Sequence, residues 1–277
     1  MAFATKASIM DFFFGTERPV MRVSFTRISV CLALLGVPAS GVFAAEIKVF
    51  STVGVQAALE ELTPAFEKRS GHQLKITWAT AAVLVKRIQA GETADVLVLT
   101  QQSLDAMVKE GNAQAGSHRN FSNSGMAVVV KQGAPKVDIS TPEAYKQTLL
   151  NAKAIAYSNP AFGGASGVFF AKTLTQMGIA DAIQAKAKFP PASGNAAQLV
   201  VNGEADLAVQ QEPEVLAVSG VDLMGAPPGA FNNITTYAAG LGATTAVVGA
   251  ATELIDFLQS PEAAAVYLKR GLKPEKK

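Results

Sequence analysis

Between Glu46 and Leu99 the hydrophobic pattern switches three times from a strand to a helix or turn. Glu46–Phe50 predicts a short strand, and a helical pattern follows at once. Val55, Leu59, Leu62 and Phe66 recur at spacings of four, three and four, the apolar stripe of one helix face, and Ser70-Gly71 ends it. Leu74–Trp78 predicts a second strand, leading into a helix whose apolar positions include Leu84 and Ile88 and which ends at Gly91. Ala94–Leu99 is a continuous apolar run of the kind buried in parallel sheets. Such alternation predicts an α/β sheet with right-handed crossovers.

The pattern then restarts. Gly125–Lys131 predicts a strand, Pro142–Leu150 a helix and Ala154–Tyr157 another strand. The stretch Asn159–Gly167, rich in small residues, precedes a helix with Val168, Ala171 and Leu174 facing inward. A helix from about Gly194 to Asn202 leads to a buried strand, Asp206–Gln210. Ile234–Val248 reads as strand or linker, and Glu253–Arg270 as one terminal helix able to return to the first. The chain therefore divides into two α/β units.

The first 44 residues differ from the rest. Arg22 and Arg27 follow Met21, the apolar run Ile28–Val37 is broken at Pro38, and Val42-Phe43-Ala44 places small residues where a signal peptidase inspects. This predicts a secretory signal over 1–44, cleaved before Ala45, with 1–20 as an upstream extension and Met21 as the start. The apolar run is shorter than the roughly 20 residues that span a bilayer. Of 24 Lys and Arg, four lie in this segment, and of 22 Asp and Glu, two, so the remainder balances at net charge zero. A neutral mature chain has no global attraction to nucleic acid or anionic membrane. The single cysteine, Cys31, falls within the signal, which leaves the mature chain without a thiolate or disulfide.

Candidate chemistry sits at a recurring junction. At Ser51–Gly54, Thr77–Ala82, Gly163–Gly167 and Ser193–Asn195, small or hydroxylated residues lie immediately before or within a helix start. A helix start exposes unpaired N–H groups and the positive end of the dipole, which suits an anion. Ligands of open α/β sheets bind beyond the carboxyl ends of the strands, where such junctions lie. The same residues also serve as ordinary caps and turns. His72 and His118 are isolated and expected to be exposed, and no cysteine accompanies them, which argues against a metal site. Gly163–Gly167 lacks the Lys-Ser/Thr ending of a phosphate loop, and no Gly-x-Ser-x-Gly elbow is present. Lys86 and Arg87, read as opening the second helix, could meet a carboxylate, and Gln210-Gln211-Glu212 ends a buried strand facing a cleft. Trp78 either walls that cleft or fills the core.

Val49-Phe50, Ala58-Leu59, Phe66–Lys68, Gly71, Leu84, Ile88, Gly91 and Ala94–Val96 follow the pattern of periplasmic molybdate-binding proteins, as does the ending Ser260–Ala264 with Tyr267–Gly271. The resemblance covers nearly all of the chain after the signal. It implies a type II periplasmic-binding-protein fold of two α/β lobes around a cleft, with lobe 1 from 45–126 plus 236–277 and lobe 2 from 127–235. It implies crossings near Ser124–Val128 and Ile234–Gly240, and a periplasmic, monomeric receptor with an ABC permease as partner, needing no cofactor.

By the same resemblance ligand contacts fall at Gly54 and Ala81, near Ser166 and Ser193, and at Gln211, and the neighbouring Thr52, Thr80 and Gln210 are further candidate contacts. Molybdate binders carry serine hydroxyls where this chain has Gly54 and Ala81, and a tyrosine where it has Gln211. Losing two charge-assisted bonds of about 1.5–3 kcal/mol each disfavours a compact oxyanion. Small residues at those positions imply a larger pocket and a small organic acid, a di- or tricarboxylate. Aconitate isomerase resembles molybdate-binding proteins over this fold, and the chain is similar to that branch. The alternative to a receptor is thus a periplasmic isomerase of aconitate, with Glu212 or Lys86 as candidate bases.

Overall fold

The computed structural model describes residues 44–191 and 194–275, and the expected signal and Ser193 lie outside them. The strands are β1 Glu46–Thr52, β2 Gln73–Ala79, β3 Val96–Thr100, β4 Arg119–Ser124, β5 Met126–Lys131, β6 Ile155–Tyr157, β7 Ala187–Lys188, β8 Leu207–Gln211, β9 Val221–Gly225, β10 Thr235–Leu241 and β11 Lys273–Pro274. The helices are α1 Gln56–Ser70, α2 Ala81–Gln89, α3 Gln101–Lys109, α4 Pro142–Asn151, α5 Ala165–Gln176, α6 Ala180–Gln184, α7 Ala196–Val201, α8 Glu212–Leu216, α9 Val248–Leu258 and α10 Pro261–Lys269. One sheet has the order β11-β4-β10-β3-β1-β2, the other β7-β6-β8-β5-β9. The result is the expected two-lobed α/β architecture, each lobe built on a mixed sheet.

Both sheets are covered on both faces, which explains their unbroken apolar runs. In β3, Val96 and Val98 join α1, α9 and β10 side chains in one core, while Leu97 and Leu99 pack with Leu84, Leu104 and Met107 on the other face. In β5, Met126, Val128 and Val130 face a core with Tyr145 and Phe170, and Ala127 and Val129 face α7. The period of two along each strand thus feeds two cores at once. The α1 stripe is buried as expected, each large side chain contributing roughly 1.5–3 kcal/mol. Gly71, at φ +75°, ends α1 in the left-handed region, where glycine carries no Cβ penalty.

Several expectations change in the structure. The terminal helix is two, α9 and α10, because Ser260 caps a new helix by accepting the Ala263 N–H and Pro261 lacks the N–H to continue the old one. On α5 the buried stripe is Ser166, Gly167, Phe170, Thr173 and Leu174, so Val168 points to solvent. His72 is buried, accepting the Ala45 N–H at Nδ1 with Nε2 3.6 Å from Glu253. Trp78 packs against the first core. Among the described residues no helix is long and apolar enough to cross a membrane.

The chain crosses between the sheets at Gly125, joining β4 to β5, and over 226–234, joining β9 to β10. The second crossing therefore precedes the expected Ile234–Gly240, most of which is strand β10 of the first sheet. The crossings touch: Asn232 Oδ1 accepts the Met126 N–H at 2.8 Å, and Ser124 pairs with Thr235. Gln211 bridges them, its Nε2 donating to Thr235 Oγ1 at 2.8 Å and its Oε1 accepting from Ser124 Oγ at 2.9 Å.

Candidate anion-binding cleft

Where the strands of both sheets end, their connections to helices meet across a cavity. It holds about 560 Å³ of space free of protein atoms, mouth included. From one lobe come Thr52, Val53 and Gly54 after β1, Thr80 and Ala81 after β2, and Thr100 after β3. From the other come Ser158, Phe162 and Gly164–Ser166 around the start of α5, and Gln210, Gln211 and Glu214 around the start of α8. The structure thus brings together Thr52, Gly54, Thr80, Ala81, Ser166, Gln210 and Gln211 on one cavity; Ser193 lies outside the described residues, and its neighbour Gly194 lines the wall.

The two expected bases do not reach it. Lys86 is exposed in the last turn of α2, not at its opening, because that helix starts at Ala81. Arg87 beside it is held by Glu92 and lies 4.9 Å from the centroid of the Phe50 ring. Glu212 caps the first crossing through its N–H, which donates to Gly125 O, and its side chain runs beside Gly271.

Three residues that the sequence reading passed over complete the site. Tyr237 of β10 is 2% exposed, lines the cavity, and its hydroxyl has no hydrogen-bond partner among the described residues. A Cβ built on Gly54 would lie 2.3 Å from that hydroxyl. The space at Gly54 is therefore filled by Tyr237, and the expected enlargement of the pocket there does not occur. Ser158 adds a hydroxyl at the end of β6. The third is Glu214, partly buried on α8, whose Oε1 accepts from Gln210 Nε2 at 2.8 Å. Gln210 is itself fixed, because its Oε1 accepts the Ala196 N–H at 2.8 Å.

Loss of water around Glu214 pushes its pKa up to about 7, against the hydrogen bonds from Gln210 and the Gln211 N–H that pull it down. Burial, reinforced by the charge of Glu214, pushes the Tyr237 hydroxyl far above its ordinary value, so it remains a neutral donor. Thr52, Ser158, Ser166 and Tyr237 line the cavity, and their hydroxyls have no hydrogen-bond partner among the described residues. The helices α2 and α5 begin on its wall, at Ala81 and Ala165, with N–H groups pointing outward from their first turns. No lysine, arginine or histidine is among the described residues that line it. The donors are thus neutral, and the one ionisable carboxyl among them sits near its midpoint at neutral pH.

The cleft is closed. Thr80 Oγ1 donates to Phe162 O at 2.8 Å from lobe to lobe. Gly163, at φ +67°, lies so near α2 that a Cβ there would stand 2.3 Å from Ala82 Cβ. Gly167 approaches the Ser158 carbonyl equally closely, where a Cβ would lie 2.2 Å from the oxygen.

Fold and cleft define a solute-binding protein. The chain belongs to the family described as bacterial extracellular solute-binding protein, whose family model matches residues 47–273. Among its relatives, the aconitate isomerase of Pseudomonas sp. is 35% identical over 234 residues, covering 82% of this chain and 87% of that protein. The molybdate-binding protein ModA of Escherichia coli strain K12 is 23% identical over 230 residues, covering 82% and 88%. Among solved structures, the periplasmic molybdate-binding protein of Azotobacter vinelandii superposes with a TM-score of 0.68 at 20% identity, covering 83% of this chain and all of that one.

Proposed function

We propose that this chain works in the periplasm as an isomerase of an unsaturated tricarboxylate, interconverting cis- and trans-aconitate inside a closed solute-binding cleft. The observation that carries the reading is the placement of Glu214, the one carboxyl among the described residues lining a cavity of neutral donors, where burial pushes its pKa up to about 7. A general base works best when its pKa lies near the operating pH. The 35% identity to an aconitate isomerase, against 23% to a molybdate binder, points the same way.

The chemistry is a 1,3 proton shift. Aconitate has a methylene carbon that is both allylic and adjacent to a carboxylate, so its C–H is the acidic one. Ionised Glu214 removes that proton, and the electron pair spreads over the three-carbon allyl unit and the attached carboxylates. The proton returns from Glu214 to the other terminal carbon, the double bond moves, and Glu214 is regenerated as carboxylate. One carboxyl group can serve both terminal carbons from one face. The hydroxyls of Thr52, Ser166 and Tyr237 and the N–H groups at the starts of α2 and α5 hold the carboxylates and spread the charge that develops. Lobe closure through Thr80 and Phe162 keeps bulk water from the carbanion.

The test is proton NMR of trans-aconitate with catalytic protein cleaved before Ala45. Appearance of the cis vinyl resonance, reduced at least a hundredfold in Glu214→Gln, is the expected outcome; an unchanged spectrum sinks the enzyme reading. The family favours a second reading, a receptor that hands a small organic anion to an ABC permease. In that case the ligand binds saturably and is recovered unaltered.

A further inference from the structure

The charge balance of the cavity leads beyond the identity of its ligand. A polycarboxylate would enter a site whose described walls hold no lysine, arginine or histidine, yet include the carboxyl of Glu214. Two like charges brought together in such a space repel strongly, because little water screens them. Neither Gln210 nor the backbone can neutralise Glu214, since both donors are uncharged. The groups around it add no positive charge. Tyr237 of β10 is neutral, Glu60 of α1 lines a neighbouring surface pocket together with Glu214 and is bound to Gln56, Glu61 of α1 is taken up by Lys269 and Arg270, and Glu212 of its own helix is turned toward Gly271. The segments of β5, β8, β9 and α7 that pack on α8 offer only Lys131 and Asp222, at the opposite end of the second sheet.

We propose that the cleft captures its anion together with one proton, held between a ligand oxygen and the Glu214 carboxyl, so that Glu214 is a specificity-determining residue favouring ligands able to share a proton. The inference rests on the reading that this cavity holds a polycarboxylate. Proton sharing turns the repulsion into a short charge-assisted hydrogen bond. It also leaves the deprotonated Glu214 and the protonated ligand carboxyl in exchange within one complex. Protonation of a carboxylate beside the methylene makes that C–H more acidic, so the same shared proton prepares the ligand for the shift.

The experiment uses tricarballylate, the saturated tricarboxylate, which has no allylic C–H and cannot be isomerised, with sulfate as a second probe. Titration calorimetry at pH 8 in two buffers of different ionisation enthalpy reads the protons bound per ligand. Wild type is expected to take up close to one proton, with affinity falling about tenfold per pH unit between pH 7.5 and 9. Glu214→Gln is expected to bind with little or no uptake and a flat profile, whereas Glu214→Asp keeps the uptake on a shorter arm and serves if the glutamine variant does not fold. Binding without uptake in wild type, or uptake unchanged in Glu214→Gln, overturns the proposal, as does failure of both probes to bind at pH 5.5 and pH 8. Uptake with sulfate alone upholds proton-linked capture and sinks the polycarboxylate reading. Loss of turnover on aconitate leaves this result untouched.

Discussion

A serine at position 54 would place its Cβ against the Tyr237 hydroxyl, and both groups are buried, Gly54 in the tight 3-10 turn Val53–Val55 that follows β1 and Tyr237 on β10. Gly54→Ser is therefore expected to lose roughly 1–3 kcal/mol in urea unfolding, the range of an overpacked core site. The double variant Gly54→Ser/Tyr237→Phe is expected to recover most of it, and additive losses would show that the two positions do not collide. Glu214 gives a second residue-scale expectation. Its folded pKa of about 7 lies above the ordinary 4.5 of an unfolded chain, so the native state holds the extra proton in that window. Its stabilising contribution is complete below about pH 4.5 and is lost as pH rises through 7. Urea midpoints of wild type should fall from pH 5 to pH 8 more steeply than those of Glu214→Gln; parallel profiles would count against the burial argument. Neither residue was visible in advance for a physical reason. Glu214 follows Gln210 by four positions across a strand-to-helix corner, where no single periodicity applies, and Tyr237 matters only because β10 returns to face Gly54.

At the scale of elements, legibility followed burial. Val96–Leu99 and Met126–Val130 are apolar on both faces, and both stood out as strands because two cores claim them. Strand β4 reads Arg-Asn-Phe-Ser-Asn-Ser, with Phe121 as its one large apolar side chain, so its hydrogen bonds to β10 and β11 left no pattern to find. The short helix α8 begins with Glu-Pro-Glu and was missed for want of length. The shared apolar composition of α9 and α10 suggests one terminal helix, and the signal that divides them is the Ser260-Pro261 stop and cap. On α5 the buried face carries Ser166 and Gly167 rather than Val168, because the helix start lies against the Ser158 carbonyl, where only small residues fit, and hydrophobicity alone points to the wrong face.

For the whole molecule, local periodicity reached as far as two α/β units; the clamshell came from family resemblance. The reason is that the crossings hold no local signal. Gln211, expected as a ligand contact, lines the cavity but commits its amide to Ser124 and Thr235, so it ties the two crossings together. The placement of β10 between β3 and β4 has a further consequence, for the order in which the halves can form. The second sheet is drawn from one uninterrupted stretch, Met126–Gly225, whereas the first stays split until Thr235–Leu241 slides into its middle. A chain arriving from its N-terminus can thus finish its inserted half before its outer half, since contacts distant in sequence carry the larger closure cost. Pulse-labelled hydrogen exchange during refolding should protect Val128–Val130 ahead of Val96–Val98, and the reverse order would refute this sequence of events.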